Sequence, residues 1–517
     1  MSPTPETPVT LQRIAVALYA ACQAGLVGYS VHRWRMLRGG GAPAPAPPAP
    51  WWPPGAGPRV LVQLPVCDEP AVVARLVAAA AAHDWPRDRL EIQLLDDSGA
   101  AAAALGAEAV ARARAAGVNA SQVRRAHRHG FKAGALAAGL EVSDAEFVAV
   151  FDADFVPAPD FLVRTLVQFA EPRVGLVQAR WGHLNRDANL LTRAQAVMLD
   201  AHLLVEHAWR QRAGRYLSFN GTAGVWRRAC IESAGGWSHD TLTEDLDLSY
   251  RAQLAGWRFV FDPGVVVPAE LPETMSAFRT QQHRWAKGAL QTSRKLLPRV
   301  FRAPLPWPIK QEAFVHLTAD VTYPLLLALA TLLVPVLFGM HSPAAAWVIA
   351  LHVAVVAGGT LPVALFLYRG QRLAGRRGAR TLAEVAAALV LCGGLSWHLA
   401  HAVAEGLWGA TGEFVRTPKT GSKTGSSNGS KTGSSPRPLQ SRDLPSPAAA
   451  RSRGAAGLPE LALASWFTLA GLWAAGSGRS GATPFLLALS AGLGWVGLAT
   501  RRVADTPPAR GPAAHGS

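Results

Sequence analysis

The sequence predicts an α/β domain with a mostly parallel sheet, joined to a helical region of about five membrane spans. Three observations predict it. Between residues 59 and 300, apolar strand-like runs that end in acidic residues alternate with helical stretches. Long charge-poor runs lie near the N-terminus and again beyond residue 300. The arginines gather beside those runs instead of forming one basic domain, as loops held on the cytoplasmic side of a membrane do.

The elements follow in order. Residues 11–30 are mostly apolar and long enough for one span. Arg33, Arg35 and Arg38 follow the run, the reverse of a signal peptide, and place residue 33 onward in the cytoplasm. A Pro-rich linker occupies 41–58. Residues 59–66 (RVLVQLPV) read as a buried strand, 70–83 as a helix with Pro at its start, and 91–95 (EIQLL) as a second strand closed by Asp96-Asp97-Ser98. Residues 147–151 (FVAVF) form a third strand, closed by Asp152-Ala153-Asp154, and 174–179 a fourth. In parallel sheets ligands bind at the carboxyl ends of the strands, where both acidic clusters fall.

Beyond residue 300, spans are predicted over 322–340, 344–368, 458–476 and 483–500. Residues 381–410 are also apolar. Were they to cross fully, the Arg451/Arg453 loop and Arg501/Arg502 would both face outward, against the charge rule. This segment, which carries Glu384, His398, His401 and Glu405, is therefore expected to lie at the interface or only dip into the bilayer. Residues 420–447 are a low-complexity Ser/Gly/Thr/Lys stretch.

Composition narrows the function classes. The chain of 517 residues carries a net charge of +16, and half of it is hydrophobic. With the charge spread along membrane-flanking loops, nucleic-acid binding is not expected. Four cysteines, Cys22, Cys67, Cys230 and Cys392, make no C-x-x-C pair, which argues against a disulfide framework or a zinc site.

Four constellations carry chemistry. Asp152 and Asp154 at a strand end are hard oxygen donors suited to a divalent cation that bridges a diphosphate; a solvated turn fits D-x-D equally well in isolation. Asp96 and Asp97 could accept hydrogen bonds from a base or ribose, or cap the next helix. Thr243-Glu244-Asp245 opens a helix, so the acids suit its dipole; alternatively Asp245 is a general base. Gln281, Arg284 and Trp285 fall on one helix face, where Arg can pair with a diphosphate and Trp offers a flat surface to a sugar. Lys132 could contact phosphate or simply be solvated.

Taken together and in this order, the motifs resemble the processive family-2 glycosyltransferases of the cellulose synthase-like group, nearest to the plant β-1,4-mannan/glucomannan synthases and their bacterial relatives. The matching stretches are QLPVCDE (63–69), LLDDS (94–98), GFKAGAL (130–136), FDADF (151–155), QARWGHLN (178–185), FNGTAGVWRR (219–228), AGGW (234–237), TEDLDLSYRAQLAGW (243–257), QQHRWAKG (281–288) and FVRTPK (414–419). Cys67-Asp68 departs from the aromatic and Asn usual in the first of these.

The resemblance implies a GT-A type, Rossmann-like catalytic domain over 59–300. An N-terminal span and linker occupy 1–58. Helices, interface segment and gating-loop motif follow over 301–419, a cytoplasmic loop over 420–457, and two further spans with a tail over 458–517. It implies an integral membrane enzyme, of the inner membrane if bacterial, with its catalytic domain in the cytoplasm. That enzyme would polymerise a β-1,4-linked mannan, glucomannan or glucan from GDP-mannose or UDP-glucose, with inversion. The alternative is a family-2 transferase adding one sugar to a lipid such as ceramide. The implied donor contacts are Asp68, Glu69, Asp96, Asp97, Lys132, Asp152, Gln281 and Arg284, with Mg2+ or Mn2+ at Asp152 and Asp154. Asp245 would be the base, Glu244 and Trp285 would meet the acceptor, and Phe414, Arg416, Thr417 and Lys419 would form a gating loop. The partners implied are the nucleotide sugar, the growing polysaccharide and membrane lipids, with accessory subunits left open.

Overall fold

The computed structural model describes residues 6–39, 48–53, 55–338, 344–409, 421 and 456–504. The gating-loop motif, Phe414–Lys419, and most of the low-complexity stretch lie outside them.

Strand β1 (Val60–Val66), β2 (Leu90–Asp96), β3 (Asn119–Val123), β4 (Phe147–Val150), β5 (Val174–His183), β6 (Gly224–Arg227) and β7 (Arg258–Ala269) make one sheet in the order β3-β2-β1-β4-β6-β5-β7. β6 runs antiparallel to β4 and β5, and the other pairings are parallel. This is the mostly parallel, two-sided α/β sheet that the sequence predicts. The central strands are apolar at nearly every position because both faces are covered. Val60, Val62 and Leu64 enter one core with Phe147, Ala149 and Ile92. Leu61 enters the core on the opposite face with Val148, Val150 and Trp226.

The alternation of strand and helix delivers the carboxyl ends of β1, β2 and β4 to one rim, and β5 and β7 end at the same rim. Three strands fall outside the sequence reading. β3 (NASQV) is short and polar, β6 has four residues, and Asp262-Pro263-Gly264 interrupts β7.

Among the described residues, five helices are each long and apolar enough to cross a membrane: Gln12–Arg38, Ala319–Phe338, Ile349–Leu373, Leu458–Gly476 and Ser480–Arg502. They coincide with the predicted spans. Helices Ala379–Gly394 and Ser396–Trp408, the predicted interface segment, are bent by 51° across Leu395. An apolar layer with Met36, Val197, Phe278, Phe366 and Leu391 joins the sheet domain to these helices. Buried ion pairs reinforce the joint. Arg33 meets Glu206 at 3.0 Å, Arg210 joins Glu206 to Glu312 (2.9 Å), and His32 meets Glu312 at 2.6 Å. Glu206 sits in a π-helical turn, His202–His207, that no sequence periodicity announces.

Candidate active site

The rim of the sheet opens into one cavity. Its lining includes Glu69, Asp97, Lys132, Asp152, Asp154, Glu244, Asp245, Gln281, Arg284 and Trp285. Residues spread over more than two hundred positions thus converge, and each arrives for a local reason.

Asp97 follows the last residue of β2. It accepts from Arg125 through Nε (3.1 Å) and Nη2 (2.5 Å), a bidentate pair, while Arg128 stands 3.9 Å away. The capping reading of this segment does not hold: the following helix, Ala100–Ala115, starts after Gly99 with no side-chain cap. Asp96 and Asp68 do not line the cavity. Asp96 is buried and accepts from Ser98 N (2.9 Å) and Gln122 Nε2 (2.7 Å), and Asp68 accepts from Gly99 N (2.9 Å). Both brace the loops that carry Asp97 and Glu69. Successive strand residues face opposite sides, so only one of the two adjacent acids can reach the cavity.

Lys132 lies in the first turn of helix Phe131–Glu141. Its ammonium donates to Asp152 (2.5 Å) and to the Gly221 carbonyl (2.8 Å), with Glu244 at 3.9 Å. Burial works against its charge, but Asp152, Glu244 and Asp245 outweigh it and hold the ammonium above its ordinary pKa. The Asp152 amide is fixed by Thr222 Oγ1 (2.8 Å), so the loop 219–222 holds both partners. Gly221 has φ +82°, and a Cβ there would lie 2.8 Å from Asp245 Oδ2.

Asp245 stands at the start of helix Glu244–Leu254. Thr243 precedes that helix without a capping bond; its hydroxyl meets Thr292 at 3.2 Å. Burial and then the neighbouring Glu244 push Asp245 up to about 7, against the opposing pull of Lys132, the Leu246 amide and Arg284. A carboxylate so placed can take a proton near neutral pH. Gln281, Arg284 and Trp285 share one face of helix Met275–Arg302, which Thr274 caps through the Ala277 amide (3.3 Å). Trp285 faces Trp181 of β5, with ring centroids 6.5 Å apart, and Trp181 packs on Phe155 at 5.3 Å.

Sequence reasoning missed Arg125, Arg128, Trp181, His183 and Asn220. The Arg124-Arg125 pair just ahead of GFKAGAL was the visible sign of the first two. The carboxylates of Asp152 and Asp154 have the donor chemistry of a hard-cation site. No group of three or more His, Cys, Asp or Glu that could hold a metal occurs among the described residues. A cation held by this pair would therefore complete its coordination with ligand oxygens.

The chain is similar to several known proteins. Residues 147–366 match the model described as "Glycosyl transferase family group 2". Glucomannan 4-beta-mannosyltransferase 2 of Arabidopsis thaliana is 44% identical over 250 residues, 47% of each chain. Glucomannan 4-beta-mannosyltransferase 1 of Cyamopsis tetragonoloba is 43% identical over 256 residues, 48% of this chain and 49% of that one. The chain thus spans about half the length of the curated relatives it matches. Among solved structures, a Pyrobaculum calidifontis mannosyltransferase in complex with GDP-Man and Mn2+ superposes with a TM-score of 0.49 at 24% identity, covering 78% of this chain and all of that one.

Proposed function

We propose that this chain, whose residues 147–366 carry a family-2 glycosyltransferase domain, polymerises a β-1,4-linked mannan or glucomannan from a nucleotide-sugar donor at a membrane. The observation that carries the reading is the convergence of Asp97, Asp152, Asp154, Asp245, Arg284 and Trp285 on one cavity. The relatives named as β-mannosyltransferases favour mannose as the donor sugar, which makes GDP-mannose the first donor to try and UDP-glucose the second.

The reaction is a single in-line displacement. Asp245 takes the proton of the acceptor's 4-hydroxyl, and that oxygen forms the new bond to the anomeric carbon. The bond from that carbon to the diphosphate breaks, and the nucleoside diphosphate leaves with the electron pair, so an α-linked donor gives a β-linked product. Arg284 and Lys132 place positive charge where the leaving group gains negative charge. Asp97, already held by Arg125, orients the nucleoside end. Trp285 supports the acceptor ring. Mg2+ or Mn2+ at Asp152 and Asp154 would neutralise the departing diphosphate. The arginines at the ends of the first, third and fifth spans, Arg35 and Arg38, Arg372, and Arg501 and Arg502, support a cytoplasmic position for this cavity.

The test is a panel of radiolabelled nucleotide sugars on membranes containing the protein, with EDTA and metal add-back, and linkage analysis of the product. A β-1,4 polymer is expected. A single sugar on a lipid establishes the alternative, and no transfer overturns the assignment.

A further inference from the structure

We infer that His183, oriented by Asp200, binds the second sugar of the acceptor chain, one ring behind the end that is extended. The inference rests on the reading above and deepens it. His183 ends β5 and lines the cavity. It lies two residues beyond Trp181, so the two side chains share a strand face about 6.6 Å apart. Trp181 faces Trp285, the platform assigned to the terminal acceptor ring. His183 therefore stands one ring-sized step past that platform, where the cavity meets the membrane helices.

The imidazole is fixed from behind. Its Nε2 is 3.1 Å from Asp200 Oδ1, and Asp200 Oδ2 accepts from Gln371 Nε2 at 3.0 Å. Gln371 belongs to the span Ile349–Leu373, and its own carbonyl accepts from Arg186 (3.3 Å), which pairs with Glu384 of the bent segment. Burial opposes ionisation of Asp200, but His183 and Gln371 more than offset it and hold the carboxyl below its usual range. An ionised Asp200 keeps the ring hydrogen on Nε2. The second nitrogen, Nδ1, makes no hydrogen bond to any described residue. With Nε2 held by Asp200, the other ring nitrogen is left to exchange a hydrogen bond with a sugar hydroxyl in the cavity that His183 lines. A buried pair needed only for packing would not require one ring nitrogen to remain available on the cavity side.

The test compares acceptors of one and two sugars: mannose and β-1,4-mannobiose with GDP-mannose, or glucose and cellobiose with UDP-glucose if that donor is the one used. The full-length protein in membranes is assayed as wild type, His183→Phe, His183→Gln and Asp200→Asn. The wild type should favour the disaccharide by about tenfold in kcat/KM, the worth of one well-made hydrogen bond. His183→Phe keeps a ring and loses the nitrogen, so the preference should fall to near unity. Glutamine should restore part of it, and Asp200→Asn should lower it. A His183→Phe enzyme that keeps the wild-type ratio overturns this inference alone. A wild type that transfers to neither acceptor overturns the proposed function with it.

Discussion

Asp152 and Asp245 line the same cavity and are held in opposite ways. Asp152 is bonded directly to an ammonium, Lys132, at 2.5 Å. Asp245, like Asp152 only partly exposed, stands beside another acid, and its pKa is lifted to about 7. One carboxylate is tied to a cationic side chain at the end proposed to meet the donor's phosphates. The other is kept reluctant to ionise, so that it can take and release a proton. Identical side chains acquire different work from their second neighbours, with Lys132 and Glu244 deciding which is which.

The comparison can be broken most severely at the base. Asp245→Asn should lower transfer about 10³-fold or more while donor binding, followed by titration calorimetry, persists. Near-normal turnover would remove Asp245 from the mechanism. At the paired carboxylate, Lys132→Met should cost about 10²-fold. It should also move the acidic limb of the kcat/KM profile to higher pH, because the charge that lowers Asp245 is gone. The loop that separates the two carboxylates offers a steric probe. Gly221→Ala forces a Cβ into a positive-φ position and against Asp245, and misplacement of this order should cost up to about 10²-fold with the Tm changed little. The smallest effect sharpens the comparison most. Glu244→Gln removes a neighbour that raises Asp245, so the acidic limb should shift below its wild-type position near pH 7, with activity reduced a few-fold. The sign is fixed: protonated Asp245 cannot accept the hydroxyl proton, so the rate climbs as pH rises through its pKa, and lowering that pKa extends activity to more acidic solution.

How much of this was legible in the sequence follows from the physics of each part. β1, β2, β4 and β5 were visible because they are largely buried and read as mostly apolar runs, three of them with acids at or just beyond their carboxyl ends. β3 is short and polar, and β6 has only four residues, so neither carries a periodic signal. The spans were visible because lipid demands long apolar helices; the bent segment passes the same test as a single broken span, and its interface reading rests on arginine placement alone. Within the site, the Gln281/Arg284/Trp285 face was readable from helical spacing, whereas Asp245 stood out from an ordinary helix start only through the family resemblance. The choice of Asp97 over Asp96 was not, because it depends on how β2 is turned in the sheet. Nor was the partnership of His183 with Asp200 and Gln371, whose members come from a strand, a helix and a membrane span 188 residues apart at the extremes.

A structure of the membrane-embedded enzyme with an unreactive donor analogue and a short acceptor would test the central claim most directly. The account predicts the acceptor's attacking hydroxyl within about 2.6–3.2 Å of an Asp245 oxygen. It also predicts the diphosphate beside Lys132, Asp152 and Arg284, and a sugar ring on Trp285. A donor bound away from this cavity, or an acceptor hydroxyl out of reach of Asp245 with donor in place, would contradict it.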